Sequence, residues 1–180
     1  MSQFPVLAYA DVTDPTVQAI YDEIKAELGF GIVPNLFKSM AIRPSFLATQ
    51  WSHFRATVLQ GLLPRTLKEM IGVAISQANS SQYALRVHLH SLSALGISEE
   101  VLHLLVTDCA NCPLPERQKQ SILFGLQIAT QPRNVTDQDY AHLRELGLSE
   151  TEIFEIVATA NLFLGVNQYT DAIQLEIDQL

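Results

Sequence analysis

Apolar residues recur along most of this chain with the spacing of an α-helix. In the first long segment they lie three or four positions apart and form one stripe: Val17, Ile20, Tyr21, Ile24 and Leu28. Prolines, which are well tolerated in a first helical turn, mark the predicted starts of several helices: Pro15, Pro34, Pro44, Pro64 and Pro115. No segment alternates convincingly between apolar and polar residues. The pattern therefore predicts an all-α fold.

Capping residues predict the remaining helix boundaries. Ser81 is expected to precede a helix that stops at Gly96. Thr136 and Ser149 are each followed three positions later by an acidic residue, which is the pattern of a capping box. These boundaries divide the chain into short helices joined by tight turns.

The chain contains an internal repeat. When it is shifted by 51 residues, Leu63-Pro64 aligns with Leu114-Pro115 and Leu95-Gly96 aligns with Leu146-Gly147, without a gap between them. The predicted copies cover about 63–107 and 114–158. Two such copies can pack as related helical hairpins around one core, so a single domain over 1–180 is expected.

Composition narrows the class of protein. A chain of 180 residues with 48% hydrophobic content can form one domain with a substantial core. Its net charge of -8 disfavours nucleic acid and anionic membranes as partners. It lacks an apolar run of about 18 residues and a secretory signal, so we expect no membrane span and a cytoplasmic location. It also lacks a glycine-rich phosphate loop, and we expect no cofactor.

Two polar residues of the first copy are candidates for acid–base chemistry. Glu69 precedes the break at Asn79–Ser80 and His88 follows it, so an antiparallel hairpin would place them at similar heights. A carboxylate beside an imidazole can transfer protons. The spacing alone favours the simpler interpretation, in which Glu69 is a solvated helical residue and His88 is a hydrogen-bonded core or surface histidine. The second copy has Gln120 and Asp139 at these positions, so the chemistry is predicted in the first copy alone.

The segment LPRTLKEMIGVAISQANSSQYALRVHLHSL resembles the core motif of the AhpD-like alkylhydroperoxidase / carboxymuconolactone decarboxylase superfamily. In that motif a glutamate is followed twelve residues later by Cys-x-x-Cys, and a histidine comes four residues after the second cysteine. Glu69, residues 81–84 and His88 match this spacing, and Asn79 and Tyr83 also match the family's pattern.

The resemblance extends beyond the motif. Upstream, GIVPNLFKSMAIRP is similar to the Val-Pro-Asn segment of the superfamily's peroxidase-related branch, and the resemblance covers about 15–175. It implies an AhpD-like helical bundle, a small organic molecule as ligand and a homo-oligomer, commonly a trimer or hexamer.

The motif's cysteine pair is absent, because Ser81 and Ala84 occupy its positions. The family's peroxidase mechanism needs one thiolate to attack the peroxide and a second sulfur to close a disulfide. A hydroxyl cannot pass through sulfenic acid or a disulfide. The resemblance therefore implies that only the proton-handling residues, Glu69 and His88, remain. The candidate pocket residues around them are Asn79, Ser81, Tyr83 and Ala84.

Another Cys-x-x-Cys, formed by Cys109 and Cys112, lies between the two copies. It is compatible with two reduced thiols, with a redox or disulfide role, or with a metal site that would need two more ligands. We expect reduced thiols and no metal.

Three functions are compatible with the sequence. The first is a small-molecule pocket with acid–base chemistry by Glu69 and His88, for which the superfamily's decarboxylase branch looks like a precedent. The second is an antioxidant enzyme that uses Cys109 and Cys112. The third is a non-catalytic ligand-binding or assembly protein. The first two make the chain an enzyme and the third does not.

Overall fold

The computed structural model describes residues 2–179, and this part of the chain is built from helices joined by short connections. The α-helices are α1 (Pro15–Leu28), α2 (Asn35–Met40), α3 (Pro44–Phe54), α4 (Arg65–Ala78), α5 (Gln82–Ala94), α6 (Glu99–Thr107), α7 (Glu116–Thr130), α8 (Asp137–Glu145) and α9 (Glu150–Ala172). A π-helical turn, Arg55–Leu59, continues α3, and 3-10 turns lie at Tyr9–Asp11, Cys109–Asn111 and Pro132–Asn134. No strand occurs within residues 2–179, and the all-α prediction is confirmed. None of the described helices combines the length and the apolar character needed to cross a membrane.

Helix ends follow the capping residues of the sequence. Both predicted capping boxes are present, Thr136 with Asp139 before α8 and Ser149 with Glu152 before α9. Gly29 ends α1 in the left-handed conformation, with φ at 76°. The helix that begins at Pro44 changes to the π-helical turn before it reaches the expected end near Gly61.

The core consists of two apolar clusters. In the larger cluster α4 contacts α5, α7 and α9, and the side chains buried there include Ile71, Ile75, Leu92, Ile122 and Phe163. The smaller cluster joins α1, α2 and α3, with Tyr21, Ile24, Phe37, Leu47 and Trp51 at its centre. Phe54, Leu59 and Val166 pack against both clusters, which makes the two cores continuous.

Helix boundaries recur with the 51-residue offset of the repeat. α4 begins at Arg65 and α7 at Glu116, and left-handed glycines end α5 and α8 at Gly96 and Gly147. The copies differ in their second helix, since α5 has 13 residues and α8 has 9. The single domain over 1–180 remains a prediction, and its two end residues lie outside the described part of the chain.

An ion pair between a buried lysine and a largely buried glutamate fixes the connection that leads into α4. The side chain of Lys68 is completely buried, and its Nζ donates to the carbonyl of Gln60 and lies 3.1 Å from Oε2 of Glu155. The Glu155 carboxylate also accepts from the backbone N–H groups of Leu62 and Leu63, at 2.7 and 2.9 Å. One carboxylate on α9 therefore holds both the turn before α4 and α4 itself.

Replacing Lys68 with methionine should destabilise the protein by about 3 kcal/mol, the lower end of the cost of removing one partner from a buried ion pair. The low end is expected because Glu155 keeps its two backbone hydrogen bonds. The measurement is the free energy of unfolding in urea. Lys119→Met is the matched control from the second copy, since Lys119 lies 3.7 Å from a largely exposed Glu116. It should cost less than about 1 kcal/mol. If Lys68→Met and Lys119→Met lowered the free energy of unfolding equally, the stabilising role assigned to Lys68 would be contradicted.

Candidate functional site

The α4–α5 hairpin brings Glu69 and His88 into direct contact. Nδ1 of His88 lies 2.7 Å from Oε2 of Glu69, and the two residues are only 5% and 3% exposed. The antiparallel hairpin expected from the sequence therefore has both residues on facing sides of its two helices. Burial also excludes the simpler alternative that Glu69 is an exposed helical glutamate.

Two further side chains hold the Glu69 carboxylate. Nε of Arg65 and Oγ of Ser91 donate to its Oε1, at 3.2 and 2.8 Å. Arg65 also donates to Oγ of Ser91 at 3.1 Å and to the carbonyl of Leu28 at 3.2 Å. The carboxylate is thus bound on both oxygens, and Arg65 connects it to the end of α1.

These partners keep Glu69 ionised. Burial by itself would raise the pKa of Glu69, but the hydrogen bond from His88 opposes this effect. Together with the charge of Arg65 and the hydrogen bond from Ser91, it holds the pKa below its usual value. At neutral pH the group is therefore a carboxylate, which only accepts hydrogen bonds.

Besides its contact with Glu69, the imidazole of His88 lies close to the backbone of α4 at Gly72. A Cβ at Gly72 would lie 2.6 Å from both Cε1 and Nε2, so only glycine leaves room for the ring. Phe163 of α9 packs edge-on against the ring, with centroids 4.4 Å apart. Since Nδ1 donates to the ionised Glu69, the other nitrogen can accept a proton. No group within residues 2–179 hydrogen-bonds to Nε2.

A largely enclosed cavity of about 30 Å³ borders this pair. Arg65, Glu69 and His88 line it, and most other lining groups are apolar. They include Leu28, Phe30, Leu36, Phe37, Phe54 and Phe163. A water molecule needs roughly 10–15 Å³ of such space, so the cavity holds about two. An organic molecule can enter only if part of the wall moves.

Two of the predicted pocket residues line the cavity. They are Ala84 and Tyr83. The Tyr83 hydroxyl donates to Oδ2 of Asp178 at 2.6 Å and accepts from the backbone N–H of Leu36 at 2.9 Å. Because these bonds occupy the hydroxyl, Tyr83 forms a wall of the cavity and offers it no free donor.

The other two predicted pocket residues do not line this cavity. Oγ of Ser81 is buried and donates to Oδ1 of Asp171 at 2.8 Å, so it joins the start of α5 to the end of α9. For the same reason Ser81 precedes α5 without capping it through its side chain. Asn79 is exposed at the end of α4.

Cys109 and Cys112 lie in the turn between α6 and α7 and form no disulfide. Burial raises the pKa of both thiols. The Cys112 thiol and Asp108 raise that of Cys109 further, while Lys119 partly opposes the shift at Cys112. Neither cysteine lines the cavity beside His88. No group of three or more His, Cys, Asp or Glu side chains that could hold a metal occurs in the described part of the chain.

Three residues of the site were missed by the sequence analysis: Arg65, Gly72 and Ser91. Helical spacing could have indicated two of them, because Arg65 lies one turn before Glu69 and Ser91 lies three residues after His88. Gly72 lies three residues after Glu69 on the same helix face. A glycine inside an apolar helix that faces a histidine is the signal of a close approach.

The equivalent positions of the second copy do not form such a pair. Gln120 and Asp139 are partly exposed and line a shallow groove on the surface. Asp139 accepts from the backbone N–H and hydroxyl of Thr136, and Gln120 donates to Glu116. Both side chains serve local helix structure.

Comparisons with known proteins agree with this fold. The model of the carboxymuconolactone decarboxylase family matches residues 44–112, a stretch that contains Glu69 and His88. No curated protein is significantly similar in sequence.

Solved structures resemble nearly the whole chain. An uncharacterized peroxidase-related protein with an alkylhydroperoxidase AhpD core, from Ralstonia eutropha JMP134, has a TM-score of 0.89 and 25% identity over 99% of this chain and 93% of its own. A peroxidase-related protein from Silicibacter sp. TM1040 has a TM-score of 0.89 and 21% identity over 99% and 92%. The debrominase Bmp8, solved with 2,3,4-tribromopyrrole as a cysteine-to-alanine variant, has a TM-score of 0.78 and 18% identity over 92% and 87%.

The fold defines a helical protein of the AhpD type. Residues 44–112 match the carboxymuconolactone decarboxylase family, and the fold resembles that of an AhpD-core protein, in agreement with the resemblance that the sequence motif indicated.

Replacing Gly72 with alanine should displace the His88 ring from Glu69. The new methyl group would overlap the ring, and overpacking of this kind costs about 1–3 kcal/mol. We expect this loss in the free energy of unfolding, together with a shifted His88 resonance in NMR spectra. Gly165→Ala is the control, because this helical glycine of α9 has open space at its Cβ position. It should be neutral or stabilise the protein by up to about 1 kcal/mol. An unchanged His88 resonance in Gly72→Ala would contradict the close approach.

Proposed function

We propose that this chain binds a small, largely apolar organic molecule beside His88 and moves a proton of that molecule with Glu69 and His88. The observation that carries the proposal is the 2.7 Å contact between Nδ1 and Oε2, buried at the border of an enclosed apolar cavity. Buried, partnered titratable groups beside a cavity are typical of acid–base sites.

Each residue has a defined part in the proposed step. Glu69 stays ionised and holds the hydrogen on Nδ1, which leaves Nε2 of His88 as the base. Nε2 takes a proton from the ligand, and the C–H or N–H bonding electrons remain on the ligand as an anion. The imidazolium then returns the proton to the same atom or to another one, so no oxidant or reductant is required.

Charge balance favours this step. Arg65 and Glu69 neutralise each other before the ligand reacts. After proton transfer, the new charges are the imidazolium of His88 and the ligand anion beside it, which attract each other strongly in an apolar, water-poor cavity. A ligand that is neutral when it enters and weakly acidic at one atom fits this arrangement best.

The substrate class that we propose is a small, flat, unsaturated molecule with one activated C–H or N–H bond, such as a cyclic enone, a lactone or a pyrrole. The aromatic side chains among the lining residues suit a flat ring. The complex of the debrominase Bmp8 with tribromopyrrole supports a ligand of this shape for this fold.

We further propose that thiol-peroxidase turnover does not occur at positions 81 and 84. Serine and alanine offer no sulfur there, and the Ser81 hydroxyl is bound to Asp171. The alternative thiol chemistry at Cys109 and Cys112 is less supported, because burial raises both pKa values and thereby lowers the reactive thiolate fraction.

A homo-oligomer and a cytoplasmic location remain part of the proposal. Large apolar side chains are exposed on the isolated chain, including Leu62 at 63% and Phe154 at 68%. Exposed apolar surface of this kind suits a contact between subunits. The family resemblance favours a trimer or hexamer.

Proton transfer can be measured by NMR as deuterium incorporation from D₂O into small cyclic ketones and lactones. His88→Asn should lower the rate by about 100-fold or more, the usual contribution of a general base. Glu69→Gln should lower turnover while ligand affinity changes little, because Glu69 acts through His88.

The control for this experiment is His142→Asn, an exposed histidine of α8, which should leave the rate unchanged. Unchanged incorporation in His88→Asn would refute the acid–base assignment. Ligand binding without any incorporation by the native protein would support the non-catalytic alternative.

The two missing sulfurs can be restored by the double substitution Ser81→Cys/Ala84→Cys. We expect measurable turnover of organic hydroperoxides with a dithiol reductant, since Glu69 and His88 keep their family spacing. The structure adds that Asp171 lies against position 81 and would disfavour a thiolate there. Adding Asp171→Asn should therefore increase turnover further. A double variant that cannot form the 81–84 disulfide would contradict the alignment with the cysteine motif.

A further inference from the structure

One continuous stretch of chain supplies a large part of the cavity lining. Residues 28–37, from the end of α1 to the middle of α2, supply five lining residues: Leu28, Phe30, Pro34, Leu36 and Phe37. Because the cavity holds only about two water molecules, part of its lining must move before an organic ligand can enter, and this stretch, which we call the wall, supplies more of that lining than any other continuous segment. What holds the wall therefore controls which molecules reach His88.

One buried carboxylate binds the part of the wall that begins α2. Asp178, in the segment that follows α9, is 8% exposed. Its Oδ1 accepts from the backbone N–H of Asn35 at 2.8 Å, and its Oδ2 accepts from the hydroxyl of Tyr83 at 2.6 Å. The same hydroxyl accepts from the backbone N–H of Leu36 at 2.9 Å. The first turn of α2 is thereby bound to α5 through Asp178.

We propose that Asp178 and Tyr83 form a latch that sets the size of the cavity and limits the entry of ligands to His88. As a statement about substrate selection this rests on the proposed function, whereas the latch itself rests on the contacts. Asp178 and Tyr83 are positioning residues, because they act on the wall and their polar groups are bound to each other and to α2.

The neighbouring contacts explain why the latch acts on the wall. Ile173 and Leu175 anchor the segment after α9 in the smaller core cluster, so Asp178 extends from a fixed support. Gly29 and Gly31 both have positive φ, at 76° and 70°, and have open space around them. The wall therefore has adaptable backbone at one end and the latch at the other.

Hydrogen–deuterium exchange of the intact protein tests the latch without any ligand. Asp178→Asn and Tyr83→Phe keep the shape of each side chain but remove its charge or hydroxyl. Neither substitution changes the hydrogen-bond acceptors of the backbone amides of residues 37–40. We expect these amides to exchange about tenfold faster in each variant than in the native protein, because each variant loses a hydrogen bond that involves a charged group.

Tyr169→Phe is the matched control. The Tyr169 hydroxyl also contacts α2, through Ser39 at 3.1 Å, but Ser39 keeps its bond to the Leu36 carbonyl when that hydroxyl is removed. Amides 37–40 of Tyr169→Phe should therefore exchange at the same rate as those of the native protein. Native-like exchange in both latch variants, or equal acceleration in Tyr169→Phe, would overturn the latch.

Ligand entry is measured with 2,3,4-tribromopyrrole as the probe and the fluorescence of Trp51 as the signal. Trp51 is the only tryptophan, and its ring centroid lies 5.5 Å from that of Phe37 in the wall. Association should be at least several-fold faster in Asp178→Asn than in the native protein, whereas Tyr169→Phe should not change it.

The two measurements separate the latch from the proposed function. Faster exchange without binding of the probe to any variant would support the latch and count against the proposed ligand class. Faster exchange with binding at an unchanged rate would overturn the control of entry.

Discussion

The structure around the candidate site depends on the burial of one ionised carboxylate. An isolated carboxylate in an apolar interior is very unfavourable, so Glu69 requires partners on both of its oxygens. His88, Arg65 and Ser91 provide them from α4 and α5. The approach of these two helices is correspondingly close, since the His88 ring fills the space that a side chain at Gly72 would take.

Carboxylates that are wholly or largely buried recur at the junctions of this all-α fold. Glu155 binds the turn before α4 and the Lys68 ammonium, and Asp178 binds the first turn of α2 and Tyr83. In both cases the acid accepts from backbone N–H groups at a helix start or in a turn, where helices leave donors without partners. The acidic composition, which disfavours nucleic acid as a partner, thus also contributes internal connections between helices.

The local parts of the fold could be predicted from the sequence, and contacts across the bundle could not. Proline starts, capping boxes and the left-handed Gly29 depend on neighbouring residues and lie where the pattern placed them. The pairing of Glu69 with His88 could be inferred because both flank one short turn. By contrast, Ser81 has its partner ninety residues away on α9, and the partner of Tyr83 is ninety-five residues away. The spacing of residues within the motif does not predict contacts with residues so far away in the sequence.

The two copies of the repeat differ in the burial of their equivalent polar residues, because different parts of the structure pack over each hairpin. The cluster formed by α1, α2 and α3 includes Tyr83 of α5, and Val87 packs against it, so the first copy's hairpin lies beneath an apolar layer. In α8 only Leu143 is buried, and the positions equivalent to Glu69 and His88 reach the surface. Water around a partly exposed Asp139 would weaken any proton-transfer pair there, because charges interact far more strongly in a buried site. The added layer, rather than the hairpin itself, therefore buries the pair on which the proposed acid–base chemistry depends, and the same layer supplies much of the lining of the cavity beside it.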